Sequence, residues 1–322
     1  MKIYITGCIG FIGFNLSRSL LKNKKNKVIG IDKFSKDSNN DSEHKLNILT
    51  KYKNFKYFKI DISNYNKLDN IFSKYKADIV IHLAAEAGVR NSIINSKKFL
   101  KSNLTGFFNV IELVKNYKIR NFFYASSSSV YGDAKEYPSN ELSNTDCPLS
   151  FYGATKKSNE IIAYSYSKLF NINTIGLRFF TVYGPYGRVD MAIHKFFDKI
   201  IKGKSINLYN NGNHFRDFTF IDDVVHDIIK LIRLSTNNKP YYELYNIGGG
   251  SKINVIDLIN KIEKITNKKA IISKKPLQKG DVISTHSDNK KISNLIKRKK
   301  YLNIEQGLKI YFEWYKTHYN SK

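Results

Sequence analysis

At 322 residues the chain is long enough for one large α/β unit and a smaller one. Its 54 basic against 27 acidic side chains give a net charge of +27. The lysines are scattered, over residues 22–27, 97–101, 195–204 and 297–300, with no stripe of interleaved aromatics and no nucleic-acid motif. The abundance of Lys, Asn, Ile and Tyr therefore reads as AT-rich coding bias, and no nucleic-acid partner is expected. No run of about 18 apolar residues exists, so no membrane insertion is expected. Cys8 and Cys147 make no disulfide framework and suit a reducing cytoplasm.

Residues 2–6 read as a short buried strand, followed by Gly7-Cys8-Ile9-Gly10-Phe11-Ile12-Gly13 and a helix-like stretch over 14–23 carrying Leu16, Leu20 and Leu21. Glycines at spacing three let the backbone turn tightly and approach a pyrophosphate, whose charge the helix amino terminus meets. The apolar run after Lys2 imitates a secretion signal, but the glycines and the missing small-residue cleavage site oppose that reading. A second strand, 27–31, ends at Asp32. A carboxylate there accepts both hydroxyls of an adenosine ribose and repels a 2′-phosphate, which favours NAD over NADP, although Lys33 stands alongside.

Strands at 55–59, 79–83, 121–126 and 173–178 alternate with helix-like segments near 65–75, 97–117 and 152–169, the pattern of a parallel sheet covered on both faces. Beyond residue 178 come Gly-, Tyr- and Asn-rich loops, helices near 191–202, 222–235 and 254–266, and a last helix, 305–319, that should bury Leu308, Phe312 and Tyr315. The expected fold is α/β, a Rossmann-type doubly wound parallel sheet with a smaller mixed α/β substrate-binding lobe. Residues 1–178, with parts of 215–248, would bind the cofactor, and 179–322 would cap the carboxyl ends of the strands.

Chemistry is carried by Tyr152 and Lys156, four residues apart and so on one helix face. A phenol ionises near pH ~10, and a neighbouring cation brings it towards neutrality as a base. A hydroxyl from the run Ser126-Ser127-Ser128-Ser129 could hold a substrate oxygen in line with it.

Together these motifs resemble the extended short-chain dehydrogenase/reductase family, and within it the nucleotide-sugar 4-epimerases. The resemblance extends through Asp61-Ile62, similar to the pair that meets adenine, and His82-Leu83-Ala84-Ala85, similar to the strand end lining the cofactor. It continues with Asn103-x-x-Gly106, the serine run through Gly132, and residues 178–185. Arg216-Asp217-Phe218 and Gly280-Asp281-Val282 resemble the uridine-diphosphate grip. Residues 86–92, with Arg90, and 187–192, with Arg188, resemble signatures of the UDP-glucuronate 4-epimerases. Thr181 does so too, where UDP-glucose epimerases carry asparagine. Glu86 and Val189 depart from the usual glutamine and proline.

The resemblance implies an isomerase that keeps NAD bound. Tyr152 would take the O4 proton while C4 is oxidised, and Ser127 would steady O4, with Ser129 its rival. The 4-keto sugar would then turn and be reduced on its other face. Arg188 and Thr181 would meet a C5 carboxylate, with a diphosphate contact the alternative for Arg188. The expected reaction is UDP-glucuronate to UDP-galacturonate; neutral or N-acetylated UDP-sugars, and a non-catalytic NAD-binding scaffold, are the competing readings. The Asp-Glu pair that sibling dehydratases use is replaced by Ser128 and Ser129, which offer neither acid nor base near pH 7. A homodimer through helices 97–117 and 152–169 is implied, with Phe107, Phe108 and Ile161 as candidate contacts.

Overall fold

Strand and helix alternate from the amino terminus in the computed structural model, which describes residues 1–34, 41–134, 136–235, 241–278 and 280–319. The elements are β1 (Lys2–Thr6), α1 (Phe11–Leu21), β2 (Lys27–Asp32), α2 (Ser42–Thr50), β3 (Phe55–Lys59), α3 (Tyr65–Lys74), β4 (Ile79–His82), α4 (Val89–Ile94), α5 (Ser96–Phe99), α6 (Gly106–Asn116), β5 (Asn121–Ser127), α7 (Phe151–Phe170) and β6 (Asn173–Phe179). The pattern then shortens into β7 (Thr181–Tyr183), α8 (Ala192–Ile201), β8 (Ile206–Tyr209), β9 (Phe215–Phe220), α9 (Ile221–Ser235), β10 (Tyr242–Ile247), β11 (Lys252–Asn254), α10 (Val255–Thr266), β12 (Ile272–Lys275), α11 (Lys290–Ile296) and α12 (Ile304–Tyr319).

Seven strands form one parallel sheet in the order β3-β2-β1-β4-β5-β6-β10. The order reverses between β1 and β4, which opens a crevice at the carboxyl ends of those strands. Alternation along β1 sends Ile3 and Ile5 into one core with Phe14, Ile81 and Phe123, and Tyr4 into the other with Val80, Phe107 and Phe122. The smaller lobe holds a three-stranded sheet, β11-β9-β7, and a parallel pair, β12-β8.

Several elements differ from expectation. β10 extends the main sheet beyond residue 178, whereas β9, also within 215–248, joins the small sheet. β10 escaped notice because Tyr242-Glu243-Leu244 lies half-buried at the sheet edge and lacks a continuous apolar run. α2 escaped because only Ser42, Lys45 and Leu49 of its nine residues are buried. The helix expected at 97–117 is α5 and α6 joined by a π-helical segment, Leu100–Thr105, which turns the buried Asn103 inward. In α12, Leu308, Tyr311 and Tyr315 are buried, while Phe312 is only half-buried and packs at the edge of the core. Phe107 is fully buried in the core, so it is no surface contact; Phe108 and Ile161 are exposed.

A buried ion pair locks α7 onto the sheet. Arg178 of β6 donates from Nε to Glu160 Oε1 at 2.8 Å and from Nη2 to Oε2 at 2.9 Å. Ser126 Oγ donates to the same carboxylate at 2.6 Å, Arg178 Nη1 donates to Tyr131 OH at 2.9 Å, and Tyr131 OH donates to Asn246 Oδ1 of β10 at 2.6 Å. Glu160→Ala would leave the guanidinium buried and unpaired, an expected loss of about 3–5 kcal/mol of unfolding free energy in urea. Glu160→Leu combined with Arg178→Met should lose much less; equal losses would mean that the charges are not what matters there.

Candidate active site

The glycine loop sits at the strand-order reversal. Gly7 has φ +74°, and a Cβ there would lie 2.6 Å from the Ala84 backbone nitrogen. A Cβ on Gly13 would lie 2.0 Å from Gly7 O, so neither position admits a side chain. At Gly10 the same distance is 3.1 Å, and Gly10 N donates to Gly7 O to close the turn. No side chain caps α1, which leaves the first-turn N–H groups at Phe11, Ile12 and Gly13 to meet an anion. A diphosphate fits this cradle.

Around it stand the other cofactor candidates. Asp32 ends β2 and accepts from Ile9 N at 3.3 Å and Phe34 N at 3.4 Å. Burial pushes its carboxyl upward, and those N–H groups pull it partly back. Lys33 turns instead to Glu86, so the extra charge at that departure from the family pattern is already met. Asp61 is raised by burial but held below its ordinary range by the Ser63 N–H and hydroxyl, at 2.9 and 2.8 Å, and by Lys101. Leu83, Ala84 and Ala85 follow β4, half-buried at the crevice wall, with Ala84 N donating to Thr6 Oγ1.

Ile62 and Asn103 lie behind this surface. The Ile62 side chain is buried against Gly106, where a Cβ would come within 2.5 Å of it. Asn103 Oδ1 accepts from Glu86 N at 2.8 Å, and its Nδ2 donates to Glu86 O and Thr155 Oγ1 at 3.0 and 3.1 Å. Asn103 thus clamps the loop after β4 to α7.

One face of α7 carries the reacting groups. Ser150 caps the helix by accepting from Gly153 N at 3.0 Å. Tyr152, Lys156 and Glu160 then follow at successive i+4 steps: the phenol at the crevice, the ammonium in the middle, the carboxylate in the buried network. Lys156 Nζ donates to Ala125 O of β5 at 2.9 Å, and burial lowers its pKa to about 8. Ser127 Oγ donates to Ser129 Oγ at 3.2 Å and accepts from Ser129 N at 3.1 Å. Burial raises the Tyr152 phenol, and the Ser127 hydroxyl and the Arg188 charge pull it down. Lys156 Nζ lies 6.0 Å from the Tyr152 ring centroid, and Arg188 brings a second positive charge to the phenol. The sequence reading named Lys156 for this role and did not foresee Arg188.

Arg188 belongs to the loop after β7. Its Nε and Nη2 donate to Asp190 Oδ1 and Oδ2 at 2.9 and 2.6 Å, and Nη2 also donates to Ala87 O at 3.2 Å. Tyr186, with φ +63°, roots the loop by packing against Phe14 and Trp314. Half-buried Thr181 opens β7, two residues beyond Phe179, which pairs in register with Ser127. A separate cluster gathers Arg90, Arg216 and Asp281: Arg216 Nη2 donates to Asp281 Oδ1 at 3.0 Å and Arg90 Nη2 to Oδ2 at 3.3 Å. Arg90 also covers the Tyr209 ring at 5.0 Å.

Glu160, Asn246 and Tyr186 were not singled out from sequence, and Asp190 and Asp217 stood there only within motifs, with no role of their own. Asp217 is fully buried and accepts from Gly249 N, Gly250 N and Ser287 N, which shapes the turn after β10. A stripe at i, i+4 and i+8 through Tyr152 was the available signal for Glu160.

A dinucleotide cradle facing a tyrosine–lysine helix defines a nicotinamide-dependent enzyme that works on an alcohol carbon. Residues 3–248 match the profile of the NAD dependent epimerase/dehydratase family, and the chain belongs to that family. It is 40% identical over 334 residues to protein CapI of Staphylococcus aureus, covering 99% of both chains. With the UDP-glucuronate 4-epimerase of Thermodesulfobacterium geofontis it shares 38% identity, over 97% of this chain and 95% of the other. The crystal structure of UDP-glucuronic acid 4-epimerase from Bacillus cereus, in complex with UDP-glucuronic acid and NAD, superposes with a TM-score of 0.90 at 33% identity, covering 99% of this chain and 100% of that one.

Arg188→Ala removes a cation that favours the phenolate, so Tyr152 should titrate at higher pH than in the parent protein. Ring-carbon-labelled tyrosine followed by NMR, with Tyr152→Phe assigning the signal, reads this directly. An unchanged titration would remove Arg188 from the electrostatics of the base.

Proposed function

We propose that the protein inverts C4 of UDP-glucuronate to give UDP-galacturonate, with NAD resident. The observation that carries this reading is the glycine cradle at the strand-order reversal together with the α7 face that carries Tyr152 and Lys156 and the Ser127–Ser129 hydroxyls at the end of β5. It is supported by relatives named for that reaction. Gly7, Gly10 and Gly13 with the α1 amino terminus would hold the diphosphate of NAD, Asp32 its adenosine ribose, and Asp61 the adenine side. When bound, NAD supplies a reversible hydride acceptor for the sugar's C4.

The remaining work falls to the chain. Tyr152 accepts the O4 proton as C4 becomes a ketone and returns it to O4 in the second half-reaction. Ser127 steadies O4, with Ser129 hydrogen-bonded behind it. Lys156, held by Ala125 O, stays protonated below pH about 8. The 4-keto sugar turns about its diphosphate link between the two half-reactions. Arg90 and Arg216 take that diphosphate, and Arg188 with Thr181 meets the C5 carboxylate. No helix among the described residues is long and apolar enough to cross a membrane. The free thiols of Cys8 and Cys147 suit the cytoplasm, and exposed Phe108 and Ile161 suit a homodimer through α6 and α7. The lobes divide the labour as cofactor binding, 1–178 with parts of 215–248, and substrate binding, 179–322.

One observation favours a second reading. The Arg188 fork is already paired with Asp190, which would suit a neutral hexose that makes no demand on it. Separate incubations with UDP-glucuronate, UDP-glucose and UDP-N-acetylglucosamine, resolved chromatographically, decide between them; the acid should turn over fastest. Tyr152→Phe should retain NAD and lose at least ~10²-fold in turnover. Near-normal turnover in that variant would remove Tyr152 as the base.

A further inference from the structure

Arg188 presents its guanidinium side-on to the Asp190 carboxylate, with both oxygens engaged. That is the two-bond geometry an incoming carboxylate would take. The two partners are anchored very differently. Arg188 is tied to the loop after β4 through Ala87 O, and its own loop is rooted by Tyr186 on Phe14 and Trp314, with Arg18 5.5 Å over the ring. The Asp190 side chain is 57% exposed, and among the described residues its carboxylate is held by Arg188 and by its own backbone N–H. A second cation, Lys195 of α8, acts on it from outside the site.

We propose that Asp190 is a displaceable internal carboxylate, which occupies the Arg188 fork in the absence of an acidic sugar and is exchanged for the C5 carboxylate when that sugar binds. The inference rests on the reading of Arg188 as the carboxylate contact. Exchange keeps a guanidinium beside the Tyr152 phenol paired at all times, which avoids stranding a half-buried cation. It also sets selectivity. An acidic sugar brings a carboxylate that replaces Asp190, whereas a neutral sugar leaves Asp190 in place and gains nothing from Arg188. Asp190 therefore weakens binding of the acid by direct competition, and Lys195 offers the expelled carboxylate a cation at the solvent edge.

The test is equilibrium binding of UDP-glucuronate and UDP-glucose to the NAD-loaded protein, in a Tyr152→Phe background that stops turnover. Asp190→Asn and Asp190→Ala should each tighten UDP-glucuronate by about 10-fold, equivalent to ~1.4 kcal/mol, and leave UDP-glucose within about 2-fold. Arg188→Ala in the same background should weaken the acid by about 10-fold or more and spare the neutral sugar. If Arg188→Ala is selective but the Asp190 variants weaken the acid or leave it unchanged, Asp190 orients Arg188 instead, and exchange is overturned while the glucuronate reading stands. If Arg188→Ala affects both sugars alike, Arg188 does not meet the carboxylate, and both readings fall together.

Discussion

The register of α7 against β5 and β6 governs where the chemistry can happen. Three contacts along one helix face set it: Lys156 on Ala125 O, Ser126 on Glu160, and Glu160 on Arg178. A helix turns about 100° per residue, so a slip of one residue would rotate Tyr152 away from Ser127 altogether. Because the guanidinium–carboxylate pair is buried, it has essentially one satisfactory arrangement, and partial versions are costly. The same network reaches Asn246 through Tyr131, so β10, contributed from beyond residue 240, helps hold the strand that carries the serines. The reacting geometry is therefore a consequence of packing well below the crevice.

Charge at the crevice follows a common pattern. Lys33 faces Glu86, Arg90 and Arg216 share Asp281, and Arg188 holds Asp190. These four cations thus each meet a carboxylate of the chain's own, whereas Lys156 is held by a backbone carbonyl. On a protein with a net charge of +27 the long-range field already favours anions, so local pairing costs little in attraction. It keeps the site ordered and requires that a bound anion match or displace a specific partner.

Much of this was legible in the sequence because the relevant signals are local. The glycines at 7, 10 and 13 are dictated by clashes within a seven-residue turn, and the Tyr152–Lys156 spacing by helix geometry. Asp32 follows from the end of a strand whose apolar run is unmistakable. What was missed depends on tertiary partners. Asn103 is marked by motif, but its bonds to Glu86 and Thr155 arise only once the π-helical segment turns it inward. The second positive charge near Tyr152 comes from a loop 36 residues downstream in numbering, and Tyr152 and Arg188 carry no mutual sequence signal. β10 is a sheet edge with Glu243 in it, and edge strands need no continuous apolar run. Phe312 and Tyr311 are neighbours on α12 and both pack on Phe197 of α8, a tertiary contact that α12's own pattern does not carry.

The central claim is inversion at C4 by hydride removal and return within one site. It is tested most directly with UDP-glucuronate carrying deuterium at C4, incubated with the purified protein and followed by proton NMR. The account predicts UDP-galacturonate with the deuterium retained at C4 and no label appearing in water. Loss of the label to solvent, or a decarboxylated pentose in place of the epimer, would contradict it.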